Sequence, residues 1–467
     1  MSGTRPSRFF TAKVAMARAV GALSRRSGRG GGTTLPGRIL LRAAPDAISR
    51  LGARLSGSRT VLSATNGKTT TAGMLASALH AAGRNPVHNR AGSNMAWGVA
   101  TALLEGDGDE GLFEVDEAWL PRVVEELSPT LLVLGNLFRD QLDRYGELET
   151  IADRWAAVVA ARRGRTALVL NADDPLVADL GRVPDGDPPP GGAPAPGVTF
   201  FGVDDDRLTH AELQHAADSK HCRRCGHPYV YEAAYLAHLG HYACPNCGAR
   251  RPEPTVVARD VELRGIRSAA FTLHAPAGSA RVELPLPGLY NVYNAVGAAA
   301  LGLALGAPLD AVVAGLEAVA PAFGRAETVE LSGRTLSILL VKNPAGANEV
   351  LRTLALEGDG LDLFGVLNDR VADGRDVSWV WDADWELMAG SVRRMTCAGT
   401  RAAELALRMK YAGLPDDRLR VVESLEAGLD AALADGSGPL YALPTYTALL
   451  ELRDLLARRG AVREHWR

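Results

Sequence analysis

Two constellations in this chain place chemically capable residues at telling spacings. The first is Ala64-Thr65-Asn66-Gly67-Lys68-Thr69-Thr70-Thr71. It follows the apolar run Thr60-Val61-Leu62-Ser63, which reads as a strand, and it opens a segment over 70–82 with Met74, Leu75, Ala78 and Leu79 at helical spacing. A Gly-Lys-Thr between strand and helix is a phosphate-binding loop. Backbone N–H groups at the helix N-terminus point at the anion, and the helix dipole favours it. Lys68 then reaches the β- and γ-phosphates of a nucleotide, and the Thr69 hydroxyl sits on Mg2+. The strict pattern has glycine at position 62, where this chain has Leu62.

The second constellation is Cys222-x-x-Cys225 and Cys244-x-x-Cys247, with 18 residues between the pairs. That is the spacing of a zinc ribbon: four thiolates close a tetrahedral shell, so a structural Zn2+ is expected rather than a catalytic one. Gly226 and Gly248 follow the two pairs, as knuckle turns need. A redox dithiol is the rival reading. His221, His227, His238 and His241 lie nearby and read mostly as surface residues. The fifth cysteine, Cys397, ends an apolar run and reads as a buried thiol.

The elements that must position these groups show in the patterning. A chain of 467 residues suggests about three domains. Its 47% hydrophobic and 22% charged residues exclude a wholly disordered chain. A net charge of −3 excludes a generic nucleic-acid binder. Four cysteines in C-x-x-C pairs point to metal rather than disulfides. No apolar stretch reaches the ~18 residues of a membrane-spanning helix.

The first 45 residues carry nine basic side chains and no acid. Three readings compete for them: a transit peptide, a basic face that meets phospholipid or a pyrophosphate-bearing substrate, and a solvated helix face. Lys13 and Arg18 interrupt the only apolar run there, which argues against a secretory signal. Strands are expected at 60–63, 111–115, 130–134 and 167–170, alternating with helices, hence an α/β fold with a mostly parallel sheet. Residues 184–197 form a Pro/Gly loop. A β-rich stretch covers 255–286, helix runs from about 291 to 319, and a second α/β pattern fills 336–467, with strands near 336–341, 363–367, 392–397 and 439–442. The expected division is a basic N-terminal segment 1–55, a central domain 56–330 with the ribbon inserted at 220–250, and a C-terminal α/β domain 331–467.

A family resemblance rests on motifs in order. The loop at 64–71 resembles the ATP loop of the Mur ligases and folylpolyglutamate synthases, which make amide bonds by activating a carboxylate as an acyl phosphate. Phe113-Glu114-Val115-Asp116-Glu117 is similar to the family's strand-end glutamate motif, which implies that Glu114 is a Mg2+ ligand. Asn136-Leu137-Phe138-Arg139-Asp140-Gln141-Leu142-Asp143-Arg144-Tyr145-Gly146 resembles N-x-x-x-D-H-L-D-x-x-G, with Gln141 in place of histidine. Asn171-Ala172-Asp173-Asp174-Pro175 resembles the NADD turn. Gly288-Leu289-Tyr290-Asn291-Val292-Tyr293-Asn294-Ala295 resembles G-x-x-N-x-x-N-A, implying that Asn291 faces adenine. Gly324-Arg325-Ala326-Glu327 resembles G-R-x-E, implying that Arg325 approaches the phosphates. The implied nucleotide site is Thr65, Asn66, Gly67, Lys68, Thr69, Thr70, Asn291 and Arg325. Two departures stand out. The stretch 151–165 has no lysine to carbamylate, so a second magnesium, if bound, is held another way. Val341-Lys342-Asn343-Pro344 stands where D-x-A-H-x-P is usual.

A Mur-ligase-like ATPase interrupted by a four-cysteine ribbon resembles one branch, the MurT-type ligase subunits of lipid II isoglutaminyl synthase. Gly28-Arg29-Gly30-Gly31-Gly32-Thr33 through Leu35-Pro36-Gly37, Lys342-Asn343-Pro344-Ala345-Gly346, and the stretch Leu367-Asn368-Asp369-Arg370-Val371-Ala372-Asp373-Gly374-Arg375-Asp376 agree with that branch. The resemblance implies ATP-dependent amidation of the D-glutamate α-carboxylate in the lipid II stem peptide, with ammonia from a separate glutaminase subunit, GatD. It implies a cytoplasmic protein, at most peripheral at the inner membrane face. It also implies that Asp369, or else Asp373 or Asp376, completes a Cys-His-Asp arrangement in the partner; the plain reading of this Asp/Gly-rich stretch is a turn-forming loop. Trp379, Trp381 and Trp385 read either as interface or as core. Two other functions compete: an amino-acid ligase of the folylpolyglutamate synthase kind, and a non-catalytic nucleotide-binding zinc-ribbon module.

Overall fold

The computed structural model describes residues 8–26, 34–89, 92–140, 147–182, 197–210, 213–320 and 325–462. Six short strands come first: β1 (Arg59–Ser63), β2 (Val87–His88), β3 (Gly111–Glu114), β4 (Leu131–Leu134), β5 (Ala167–Asn171) and β6 (Val198–Val203). Strands β1, β3, β4 and β5 are buried on both faces over nearly their whole length, around Val61, Leu62, Leu112, Phe113, Leu132, Val133, Leu168 and Val169. That pattern suits a parallel sheet covered by helices, and the pairings of all six strands are parallel. The hairpin β7 (Val230–Leu236) and β8 (Leu239–Ala243) is a separate two-stranded sheet. Then β9 (Val256–Arg264) returns parallel to β6, and β10 (Ser268–Ala275) and β11 (Gly278–Leu284) extend the edge as an antiparallel meander. The resulting order is β11-β10-β9-β6-β5-β4-β1-β3-β2.

Helices Lys68–Ala81, Leu289–Ala304 and Leu309–Glu317 cover one face of this sheet, burying Met74, Leu75, Val292, Val296 and Leu316. The helical pattern expected as one run to 319 breaks into two at Gly306, whose φ is +79°, and Pro308. The other face takes Ala96–Glu105, Leu120–Leu127 and Leu148–Arg162, together with the N-terminal helices Arg8–Arg26, Leu35–Ala43 and Ala47–Gly52. Phe10, Ala17, Leu40, Ile48 and Leu51 are buried in the same core as Val99 and Leu103. The described helices of segment 1–55 therefore share the core of the central domain.

The second sheet contains β12 (Arg325–Leu331), β13 (Arg334–Leu339), β14 (Leu361–Val366), β15 (Val392–Ala398), β16 (Leu419–Val421) and β17 (Leu440–Pro444), ordered β12-β13-β17-β14-β15-β16. Only β12 and β13 pair antiparallel; their two-residue turn, Ser332 at φ +51° and Gly333 at φ +77°, has the positive angles of a type I′ hairpin. A division at 330/331 would cut this hairpin, whose first strand, β12, belongs to the second sheet. Among the described residues no helix is long and apolar enough to cross a membrane.

Candidate nucleotide and metal sites

The phosphate loop is held from three sides. Gly67, the residue before helix Lys68–Ala81, has φ +87°, which a side chain resists. A Cβ there would also fall 1.9 Å from the Asn294 side-chain oxygen. The Asn136 amide grips the loop twice: its Oδ1 accepts from the Asn66 N–H at 2.8 Å, and its Nδ2 donates to the Asn66 carbonyl at 3.0 Å. The Thr65 hydroxyl accepts from the Phe138 N–H at 3.1 Å. Thus the loop and the start of the 136–146 segment form one backbone-locked unit.

Lys68 folds over this unit. Its ammonium donates to the carbonyl of Ala64 and, at 2.7 Å, to Glu117 Oε2. Burial pulls the Lys68 pKa down, but Glu117 and Asp116 outweigh it and hold it above the ordinary lysine value. For Glu117, burial pushes up, and Lys68 with Lys342 overcomes that push and holds the carboxyl below its ordinary value. Glu114 ends β3 fully buried, opposite Leu62 in the strand register and so at the foot of the loop. Thr69 is half-buried at the helix start. Asp140 offers a buried oxygen, Oδ1, that accepts no hydrogen bond among the described residues. Hydroxyl and carboxylate oxygens of this kind suit Mg2+.

The C-terminal domain reaches into the same place. Lys342 donates to the Thr65 carbonyl at 3.2 Å and to Asp140 Oδ2 at 2.6 Å. The side-chain amides of Asn66 and Asn343 exchange hydrogen bonds at 3.3 and 3.1 Å. Asn343 also caps helix Pro344–Ala355, accepting from the Gly346 N–H at 2.9 Å. Between the domains lies a cleft lined in part by Asn66, Gly67, Thr70, Tyr290, Lys342 and Glu349. Burial pushes the Glu349 carboxyl up to about 7 against the pull of Arg352, and its Oε1 accepts no hydrogen bond among the described residues. Lys342, Asn343 and Glu349 had no role assigned from sequence. The signal for them was the departure from D-x-A-H-x-P, which put a cation and an amide at that place.

Asn291 is buried near the loop, donating to the Pro287 carbonyl at 2.7 Å and accepting from Asn294 at 3.1 Å; the Asn294 side-chain oxygen accepts from Thr71 at 3.3 Å. Arg325 begins β12, and its side chain, like Gln141 and the 28–33 signature, lies outside the described residues. The NADD carboxylates are structural. Asp173 accepts from Arg251, Tyr293 and the Val203 N–H, all within 2.9 Å. Asp174 caps the turn at 175–178 and accepts from the Leu137 N–H at 2.8 Å.

The four ribbon sulfurs lie within 4.8 Å of one another. The two knuckles are near copies. Cys222 N–H donates to the His227 carbonyl at 2.7 Å and Cys244 N–H to the Ala249 carbonyl at 2.6 Å; Gly226 and Gly248 adopt φ +74° and +73°. This set fits a tetrahedral Zn2+, whose Zn–S bonds are about 2.3 Å. His238 departs from its surface reading. It is fully buried, tilted on Phe138 with 4.8 Å between ring centroids, and 3.5 Å from Asp174 Oδ2. It packs the ribbon hairpin against Phe138, beside the NADD turn, and its Nδ1 accepts from the Asp218 N–H at 3.3 Å. Cys397 is buried, and desolvation pushes its thiol up to about 12.

In the 369–376 stretch the three aspartates separate. Asp373 is buried and accepts from the Thr447 N–H at 2.7 Å and from the Thr447 hydroxyl. Asp369 is part-exposed, and the Thr400 hydroxyl and Arg401 hold its carboxyl below the ordinary range. Asp376 is exposed and accepts from the Ser378 N–H. The tryptophans separate as well: Trp385 is core, Trp379 packs partly buried against it, and Trp381 is exposed, edge-on to exposed Tyr411.

Residues 63–185 match the Mur ligase middle domain family, and residues 340–449 match the MurT ligase C-terminal family. The chain is 32% identical over 443 residues to the lipid II isoglutaminyl synthase (glutamine-hydrolyzing) subunit MurT of Streptococcus pneumoniae, covering 93% of this chain and 94% of that one. The corresponding subunit of Staphylococcus aureus is 31% identical, with 91% and 93% covered. A pseudomurein peptide ligase type C from Methanothermus fervidus shares the fold at TM-score 0.68 and 23% identity, over 88% of this chain and 80% of that one.

Proposed function

The chain belongs to the MurT family, a branch of the Mur ligase superfamily, and from that premise we propose that it amidates the α-carboxylate of D-glutamate in the lipid II stem peptide, yielding D-isoglutamine. ATP transfers its γ-phosphoryl group to a carboxylate oxygen and leaves as ADP. The ammonia lone pair then attacks the acyl carbon, phosphate departs with the C–O electron pair, and the ammonium loses a proton. A carboxylate resists ammonia, whereas an acyl phosphate carries a good leaving group. The observation that carries the reading is the closed phosphate loop, with Lys68 poised at its mouth and Lys342 and Asn343 of the second domain resting on it.

In this mechanism Thr65, Asn66, Gly67, Thr69 and Thr70 present the loop to the phosphates, and Lys68 exchanges Glu117 for phosphate oxygens. By the family resemblance, Asn291 is assigned to the adenine and Arg325 to the phosphates. Thr69 and Glu114 would hold Mg2+, which when bound offsets charge on the phosphoryl oxygens. Lys342 fixes the second domain against the loop, keeping water from the acyl phosphate. Cys222, Cys225, Cys244 and Cys247 hold a structural Zn2+. Ammonia comes from glutamine through the glutaminase subunit GatD, and the C-terminal domain supplies Asp369 to that partner's catalytic histidine. The reaction takes place in the cytoplasm.

Mass spectrometry of lipid II incubated with this protein, Mg-ATP and ammonium chloride tests the reading. Replacement of OH by NH2 with release of ADP is expected. Unchanged lipid II, with ATP hydrolysis restored by a different acidic substrate, would move the function to another ligase branch.

A further inference from the structure

The outward face of the N-terminal helix, Arg8–Arg26, is unused by the fold and by the reaction above. Its inner face is pinned: Phe10, Ala17 and Gly21 are buried, Lys13 donates to the Ala43 carbonyl at 2.5 Å, and Arg18 donates to the Leu104 carbonyl at 2.8 Å. A separate stripe of the helix, beside that buried face, carries Phe9, Met16 and Leu23, spaced by seven residues and therefore nearly in line. They are 84%, 46% and 69% exposed, with exposed Ala12 and Ala19 between them. Large apolar side chains lined up on one exposed helix face mark an interaction surface rather than chance exposure.

The charge around this face selects the partner. The first 45 residues hold nine basic side chains and no acid, and Arg38 and Arg42 are exposed on the next helix, Leu35–Ala43. A helix with an apolar line in an acid-free basic segment matches an interfacial helix, whose apolar side chains enter the acyl boundary while cations meet anionic headgroups. We infer that the Phe9/Met16/Leu23 face docks on a bilayer rich in anionic phospholipid. This goes beyond the reaction proposed above and does not depend on it.

Sedimentation of the full chain with vesicles tests this inference. Vesicles of phosphatidylglycerol mixed with phosphatidylcholine should carry the protein down, and pure phosphatidylcholine vesicles should carry much less. Added salt should weaken the binding. Met16→Glu and Leu23→Glu should each lower partitioning by about tenfold or more, while melting temperature and ATP turnover stay as in the parent chain. Both sites are exposed, so folding survives the change. Equal partitioning of parent and variants, or no preference for anionic vesicles, would overturn the inference. So would a face that buries itself in another protein copy: Met16→Glu would then convert a dimer to a monomer in light scattering without altering vesicle binding.

Discussion

Asn66 in the phosphate loop and Asn343 at the start of the second domain's first helix present their amides to each other, each donating and each accepting. Two domains thus meet through a pair that reads geometry as well as polarity. Asn343→Asp keeps the helix cap but sets a carboxylate oxygen against the Asn66 oxygen. We expect little change in melting temperature and a rise in KM for ATP of up to about tenfold, the worth of one hydrogen bond. Asn343→Ala loses the cap too and should cost about 1 kcal/mol of stability. An unchanged KM in both variants would separate the contact from nucleotide binding.

Lys68 and Glu117 form a nearly buried ion pair. Lys68→Met leaves Glu117 in a dry site without this partner, at a cost of about 3 kcal/mol. Adding Glu117→Gln should recover most of that loss in a denaturant melt. Neither the single nor the double variant should form product, because the phosphates lose their cation. Product from either would remove Lys68 from the chemistry.

One zinc per chain is expected by elemental analysis. Cys222→Ser should lower the metal content and the melting temperature together, since metal binding and folding of a ribbon are one process. Full zinc occupancy in the variant would contradict the four-thiolate shell.

Glu349 gives a pH signature. Burial raises its carboxyl from 4.5 to about 7. Between those values the folded chain holds a proton that the unfolded chain has lost. Stability from this group is therefore present at low pH, falls as pH rises through the window, and is flat above it. Glu349→Gln removes the dependence. By about pH 8 the variant should exceed the parent by at most ~3 kcal/mol, with no gain near pH 4. Parallel stability curves would refute the assignment.

The aspartates of the 369–376 stretch separate by the source of nitrogen. Asp369→Asn should spare ammonia-driven amidation and lose glutamine-driven amidation with the glutaminase partner. Asp373→Asn should lower the melting temperature and both activities, because its carboxylate ties the stretch to Thr447. Retained glutamine-driven turnover in Asp369→Asn would pass the role to Asp376.

Local signals made much of this legible in the sequence. The strand–Gly-Lys-Thr–helix order and the doubled C-x-x-C state their own geometry, because turn and ligand needs act within a few residues. The type I′ turn at Ser332-Gly333 and the strand β12 before it are not legible in the sequence pattern. Its strand, Arg325–Leu331, carries three charged residues and lacks the buried apolar run of a central strand. The burial of His238, the grip of Asn136 and the reach of Lys342 join residues dozens to hundreds of positions apart, and periodicity carries no such information.

The ribbon lies in residues 204–255, an insertion whose ends come together where β9 pairs with β6, Phe201 against Val256. Before that pairing forms, the whole insertion is a loop to be closed across the central sheet. A metal that first joins Cys222 to Cys247 takes about half of the loop out of the search, lowering its closure entropy by about 0.6 kcal/mol. The zinc clasp thereby becomes a folding aid for the central sheet: the apo chain should refold more slowly than the loaded one, with the delay falling on the β6–β9 step.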